Sequence, residues 1–209
     1  MTANIPSNFI KSWLKRGAML LIVLVAAFFS IRIYDSLGGP RLQLWHTFVP
    51  DEMDDQAIDG SDWAGYIAAE DKLFEEVKTN VTLQLESDQK NPLNRYYEAS
   101  LIYPDRFEHN WNHSYIMQPE GKPTGAVVLL HGLTDTPYSL RHVADLYRQR
   151  GFVVIAIRLP AHGTVPSALS QVHWRDWLAA TRLAVREAKR LTTPEAPLHL
   201  VGFSNGGAL

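Results

Sequence analysis

The chain has no cysteine among its 209 residues. Disulfides, thiolate metal centres and a cysteine nucleophile are therefore excluded. It also has little net charge: 20 lysines and arginines against 22 aspartates and glutamates leave −2 at pH 7. That balance offers no electrostatic case for nucleic acid as a partner. Internal repeats and low-complexity tracts are missing as well. What is present is ordinary for a globular protein, 46% hydrophobic and 20% charged, which suffices for one sizeable core with a small appendage.

Charge is absent over one long stretch. Lys11, Lys15 and Arg16 precede an apolar run from Gly17 to Ile31, extended past Arg32 by Ile33 and Tyr34. A spanning helix needs roughly 20 apolar residues and as few as about 17. The run reaches that length if Trp13, Leu14, Arg32 and Tyr34 sit at the two interfaces, where Trp and Tyr are favoured and Arg can snorkel. The basic cluster lies before the run, and an acidic stretch, Asp51-Glu52-Met53-Asp54-Asp55, follows it. This asymmetry predicts a single-pass anchor with residues 1–16 in the cytoplasm, 17–34 in the membrane and the remainder on the far side, periplasmic or extracytoplasmic. A cleaved signal peptide has the same start, and Val25-Ala26-Ala27 is an acceptable cleavage site, but Phe28, Phe29 and Ile31 carry the apolar run past it. A buried core helix fits less well, because the segment is apolar all round.

Leu37-Gly38-Gly39-Pro40 ends the helix and opens a juxtamembrane linker and helical segment, residues 35–110. Ser61 or Asp62 is placed to cap a helix reaching about Lys78, with Trp63, Tyr66, Ile67, Leu73, Phe74 and Val77 at helical spacing. Glu70, Asp71, Glu75 and Glu76 are assigned to an opposite, solvated face. Val81 to Glu86 alternates like a half-buried strand. Tyr96, Tyr97, Tyr103, Phe107 and Trp111 form an aromatic passage, suited to an acyl groove or simply to core. His109 and His113 stand four apart, but Asn110, Asn112 and Ser114 between and beside them argue against a helix, so no metal site is expected.

From 111 to 209 the pattern becomes regular. Ser114–Met117 reads as a strand, and Ala126–Leu130 and Phe152–Ile157 as continuous apolar strands buried on both faces. Helices are expected from about Tyr138 to Arg150, ending at Gly151, and from Val172 to Leu191. A last strand, Leu198–Phe203, follows Pro194 and Pro197. Strands alternating with helices predict an α/β fold with a mostly parallel sheet, whose sites lie at the carboxyl ends of the strands. Three loops fall there: His131-Gly132, Ala161-His162-Gly163, and Gly202-Phe203-Ser204-Asn205-Gly206. The last has the Gly-x-Ser-x-Gly form of a nucleophile elbow, in which a serine sits on a strained strand-to-helix turn and Gly202 and Gly206 remove side chains that would clash.

In this order of strands and loops, residues 112–209, and most closely those from Ala126 on, the chain resembles the α/β-hydrolase superfamily. Within it, the chain looks like the carboxylesterase, monoacylglycerol lipase and serine aminopeptidase S33-like branch. The resemblance implies that Ser204 is the nucleophile, that the backbone N–H groups of Leu133 and Asn205 form the oxyanion hole, and that His131 and His162 shape the flanking loops. No cofactor and no metal are implied. The family's order is serine, acid, histidine, so neither upstream histidine fits the base, and only Asn205 to Leu209 follow the serine. The expectation is therefore a fragment, the N-terminal half of a hydrolase fold broken off just after the elbow. The reading is a membrane-anchored serine hydrolase acting on lipid-like or other apolar esters. A peptidase or amidase on the same scaffold, and a non-catalytic tethered interaction module, stay open beside it.

Overall fold

The computed structural model describes residues 7–39 and 41–209, and side chains from residue 11 on. Residues 1–6, the start of the expected cytoplasmic segment, and Pro40 of the expected linker lie outside the described residues. The chain divides into two compact units, 1–41 and 42–209. The first holds helix α1, Ser7–Leu37. Its stretch Lys11–Leu37 is long and apolar enough to cross a membrane. Leu20, Ile22, Leu24, Phe28 and Phe29 are all exposed, as expected of a helix with no single apolar stripe.

The second unit is built on a sheet of β1 (Tyr115–Met117), β2 (Gly125–Leu130), β3 (Phe152–Ile157) and β4 (Leu198–Gly202), ordered β1-β3-β2-β4. β1 runs antiparallel to β3, and the other pairings are parallel. The strand period of two divides the apolar residues of β2 and β3 between two cores. Val127, Leu129, Val154 and Ala156 face Leu140 and Ala144, at the start of helix α5 (Arg141–Gln149). Ala126, Val128, Leu130, Val153, Ile155 and Ile157 face helix α6 (Trp174–Arg190), whose Ala179, Ala180, Ala184 and Ala188 are small enough for close approach. Tyr138–Leu140, expected as the first turn of α5, belongs to a tighter turn, Pro137–Leu140, leading into it. β4 lies at the sheet edge with Leu200 exposed.

Residues 42–110 belong to the same packed unit. They carry α2 (Leu44–Thr47), α3 (Asp55–Asp59) and α4 (Trp63–Asn80). The Asp62 side chain caps α4, accepting from Gly65 N–H at 2.8 Å. Ile58 and Tyr66 sit in the core cluster of β2, β3 and α6.

Two expectations for this region are corrected. Val81–Glu86 is not a strand: Thr82–Gln84 is a single 3₁₀ turn. Val81 and Leu85 follow Val77 of α4 at intervals of four and continue its buried stripe, while Leu83, which alternation would bury, is exposed. Glu70 is not on a solvated face; only 2% of it is exposed. It lies four residues after Tyr66 and three before Leu73, so helical geometry carries it inward with them.

Candidate active site

Parallel pairing puts the carboxyl ends of β2, β3 and β4 at one edge, and the three loops leave from there. The loop after β4 is fixed first. Phe203 N–H donates to Leu130 O at 3.0 Å, and Ser204 opens a 3₁₀ turn, Ser204–Gly207, at φ 51°. A non-glycine residue there carries strain of roughly 1–2 kcal/mol. The surroundings impose it. A Cβ on Gly202 would overlap the Gly206 carbonyl, and one on Gly206 would overlap the Leu130 carbonyl. Both glycines are thus required by backbone running against backbone.

Ser204 is exposed, and its hydroxyl has no hydrogen-bond partner among the described residues. Gly132 comes against it: a Cβ there would lie 3.5 Å from Ser204 Cβ. The N–H groups of Leu133 and Asn205 donate to no acceptor among the described residues. The Asn205 amide nitrogen Nδ2 is buried and likewise unpartnered among them.

His131 is fully buried. Its Nδ1 is 2.9 Å from Gly132 O, and its Nε2 accepts Leu159 N–H at 3.0 Å. A ring that donates at Nδ1 and accepts at Nε2 is neutral, and burial depresses its pKa to about 4. Both nitrogens are occupied by backbone, so His131 joins the loops after β2 and β3 instead of facing the serine. His162 stacks edge-on against it with ring centroids 4.9 Å apart. Its Nε2 is 2.7 Å from Leu133 O, and its Nδ1 is 2.9 Å from Pro160 O. Burial lowers its pKa, against the pull of these carbonyls.

A cavity of about 820 Å³ opens beside the loop after β2, lined among others by Leu133, Asp135, His162, Arg95, Tyr96 and Leu169. The aromatic passage divides between the two roles open to it. Tyr96 and Tyr103 are buried, while Phe107 and Trp111 line a neighbouring groove of about 680 Å³ that shares Arg95 and Ile102 with the cavity. His113 stacks on Phe74 and lies 3.4 Å from Glu70, and His109 packs edge-on to Trp111.

One group near the site is not foreseen from the sequence. Arg158, the residue after β3, is 2% exposed. Its Nη1 and Nη2 donate to both oxygens of Glu52 at 2.8 and 3.0 Å, and its Nε donates to Glu70 at 3.0 Å. Burial alone would raise the Glu70 carboxyl. Hydrogen bonding from His113 and Ser114 and the Arg158 charge outweigh that and hold it below its ordinary range. A charged residue ending an apolar strand was the available signal.

With this geometry in place, comparison with known proteins is informative. A model of the alpha/beta hydrolase family matches residues 127–209. Over 90 residues the chain is 33% identical to a thermostable monoacylglycerol lipase of Bacillus sp. (strain H-257), covering 43% of this chain and 34% of the lipase. It is similar to a solved structure from work on LipS and LipT, two metagenome-derived lipolytic enzymes, with 28% identity, a TM-score of 0.42 and coverage of 47% and 38% of the two chains. Ferulic-acid-bound Est1E of Butyrivibrio proteoclasticus matches with 20% identity, a TM-score of 0.39 and coverage of 46% and 39%. Residues 127–209 carry the match to the alpha/beta hydrolase family, and the chain spans about a third of the length of the lipase it matches.

Proposed function

We propose that the chain is part of a membrane-anchored serine hydrolase that cleaves carboxylic esters of apolar acyl groups through an acyl-enzyme on Ser204. The observation carrying this reading is Ser204 itself, exposed at φ 51° on a turn whose glycines are enforced by backbone contact. In the reaction, Ser204 Oγ adds to the ester carbonyl carbon while its proton passes to a base. The resulting oxyanion is held by Leu133 and Asn205 N–H, groups free to donate. Such donors are worth about 3–4 kcal/mol each. Collapse expels the alcohol with that proton, and water then adds to the acyl-enzyme to release the acid and restore Oγ–H.

In this reading the triad acid and histidine come from sequence after Leu209. The 34% coverage of the lipase supports this, and His131, with both nitrogens engaged by backbone, is not their substitute. Esters with apolar acyl chains are favoured by the cavity beside Leu133 and by the relative named as a monoacylglycerol lipase. Lys11–Leu37 serves as the anchor, with the basic flank on the cytoplasmic side and the catalytic unit on the far side.

The test uses the full-length product with monoacylglycerols and the matching amides. Ester turnover is expected to fall at least about 1,000-fold in Ser204→Ala. Turnover unchanged by that substitution rules the reading out, and a preference for the amides redirects it to a peptidase or amidase. A reporter fused after the hydrolase unit checks the orientation, and a cytoplasmic signal reverses it.

A further inference from the structure

The loop after β3, Arg158 to His162, is closed by its own turn bond, His162 N–H to Leu159 O at 3.2 Å, and is also held from outside itself. Arg158 N–H donates to Ser114 Oγ at 2.8 Å, and Arg158 O accepts from Tyr66 OH at 2.6 Å. Ala161, at φ 70°, donates its N–H to Glu52 Oε1 at 2.7 Å. Arg158 Nη1 closes the loop by donating to His162 O at 3.1 Å. Glu52, Tyr66, Glu70 and Ser114 all precede residues 127–209, the part that matches the family. The far side of the loop delivers the ring of His162, which meets Leu133 O at 2.7 Å.

A continuous set of contacts therefore runs from Glu52 through Arg158 and Ala161 to His162 and on to Leu133. Each joint is directional. Arg158 uses both ends of its guanidinium in the fixed fork that carboxylates match, bidentate to Glu52 and single to Glu70, which an ammonium cannot copy. Glu52 Oε1 is shared between Arg158 and the Ala161 N–H. Displacing that one carboxylate frees a strained turn and the histidine that follows it.

We propose that Glu52 and Arg158 are positioning residues for the hydrolase: acting through Ala161 and His162, they set the Leu133 carbonyl and, across the Leu133 Cα, the adjoining Gly132–Leu133 peptide whose N–H donates to the oxyanion. This rests on the serine hydrolase reading of the site. Residues 42–114 are thereby a working part of the catalytic unit, beyond a spacer between anchor and enzyme. Misplacement of a catalytic group by about 1 Å costs on the order of 100-fold in rate, so small displacements at Leu133 register in kcat.

The experiment uses full-length protein carrying Glu52→Ala, Glu52→Gln or Arg158→Lys. Two readouts are taken: kcat and KM with a monoacylglycerol, and amide hydrogen exchange of peptides spanning 131–136, 158–164 and the strands. Glu52→Ala is expected to lower kcat by about 10- to 100-fold with KM held within about twofold. Exchange should quicken at 131–136 and 158–164 and stay unchanged in β2 and β3. Glu52→Gln keeps an oxygen for the Ala161 N–H but sets an amide NH2 against Arg158 Nη2, so its kcat should fall between Glu52→Ala and wild type, and Arg158→Lys should resemble Glu52→Ala. If Glu52→Ala does not fold, Glu52→Asp, which keeps the charge but is one methylene short, carries the same expectation. Wild-type kcat in folded Glu52→Ala or Glu52→Asp overturns the proposal. So does faster exchange spread evenly over loops and strands. A wild-type protein that hydrolyses neither ester nor amide refutes the hydrolase reading separately; exchange confined to the two loops still decides whether Glu52 governs the Leu133 loop.

Discussion

Ser204 and Ala161 are the non-glycine residues that stand at positive φ among those described, at 51° and 70°. The turns are alike in strain and opposite in how they are held. The Ser204 turn is enforced from nearby, by Gly202 and Gly206 pressed against backbone and by the parallel neighbour strand at Leu130. It leaves its side chain exposed, with the hydroxyl unpartnered among the described residues. The Ala161 turn is buried, and the carboxylate that holds it lies 109 positions away. A strained residue persists only where its surroundings over-determine it. At the serine that over-determination is steric, backbone against backbone; at the alanine a remote carboxylate adds to the turn bond from His162 N–H to Leu159 O.

The comparison breaks hardest at the elbow. Gly206→Ala drives a Cβ into the Leu130 carbonyl, and because backbone lies on both sides the strain has no side chain to absorb it. A loss of at least about 3 kcal/mol in unfolding free energy is expected, with loss of ester turnover. A fully stable, active Gly206→Ala protein contradicts the steric account.

His131 ties the Ala161 turn to the loop after β2, through Leu159 N–H and Gly132 O, and its titration measures that tie. Burial holds its pKa near 4, below the ordinary value of about 6.5. The folded state therefore binds fewer protons than the unfolded state between those values. Stability from this site is complete above about pH 6.5 and is lost as pH falls towards 4, by roughly 3 kcal/mol in all. Urea unfolding of wild type and His131→Gln across that range should show the extra slope in wild type alone. Parallel slopes exclude the neutral, doubly bonded ring. The Glu70 carboxyl, held low, loses its own contribution at still lower pH.

The smallest effect is expected at Ala161. Glycine relieves strain of about 1–2 kcal/mol at that φ and costs about 0.5–1 kcal/mol in unfolded-state entropy. Ala161→Gly should thus change stability by no more than about 1 kcal/mol. A larger loss assigns the holding of that turn to packing of the Ala161 methyl, beside Val165 and Ala168, over Glu52.

The same contrast explains what could be read from the sequence. The strands, the long helices α1, α4 and α6, and the elbow rest on local signals: apolar runs, helical spacing and a five-residue glycine pattern. The loops carrying His131, His162 and Ser204 were legible as one edge because strand direction alone brings them together. The Glu52–Arg158–Glu70 group joins residues up to 106 positions apart, which no local pattern reports. Glu70 was half legible. Its spacing from Tyr66 and Leu73 pointed inward while its charge pointed outward, and a partner for that charge was visible only in three dimensions. Val81–Glu86 failed differently, because a stripe with a repeat of four mimics alternation over so short a run.

The central claim is that Ser204 is a nucleophile, and covalent capture tests it most directly. Full-length protein treated with a fluorophosphonate, digested and mapped by mass spectrometry is expected to carry one phosphonyl adduct, on the peptide containing Ser204, with none in Ser204→Ala. An unmodified Ser204 in protein that still hydrolyses esters, or an adduct that survives the Ser204→Ala substitution, would contradict the account.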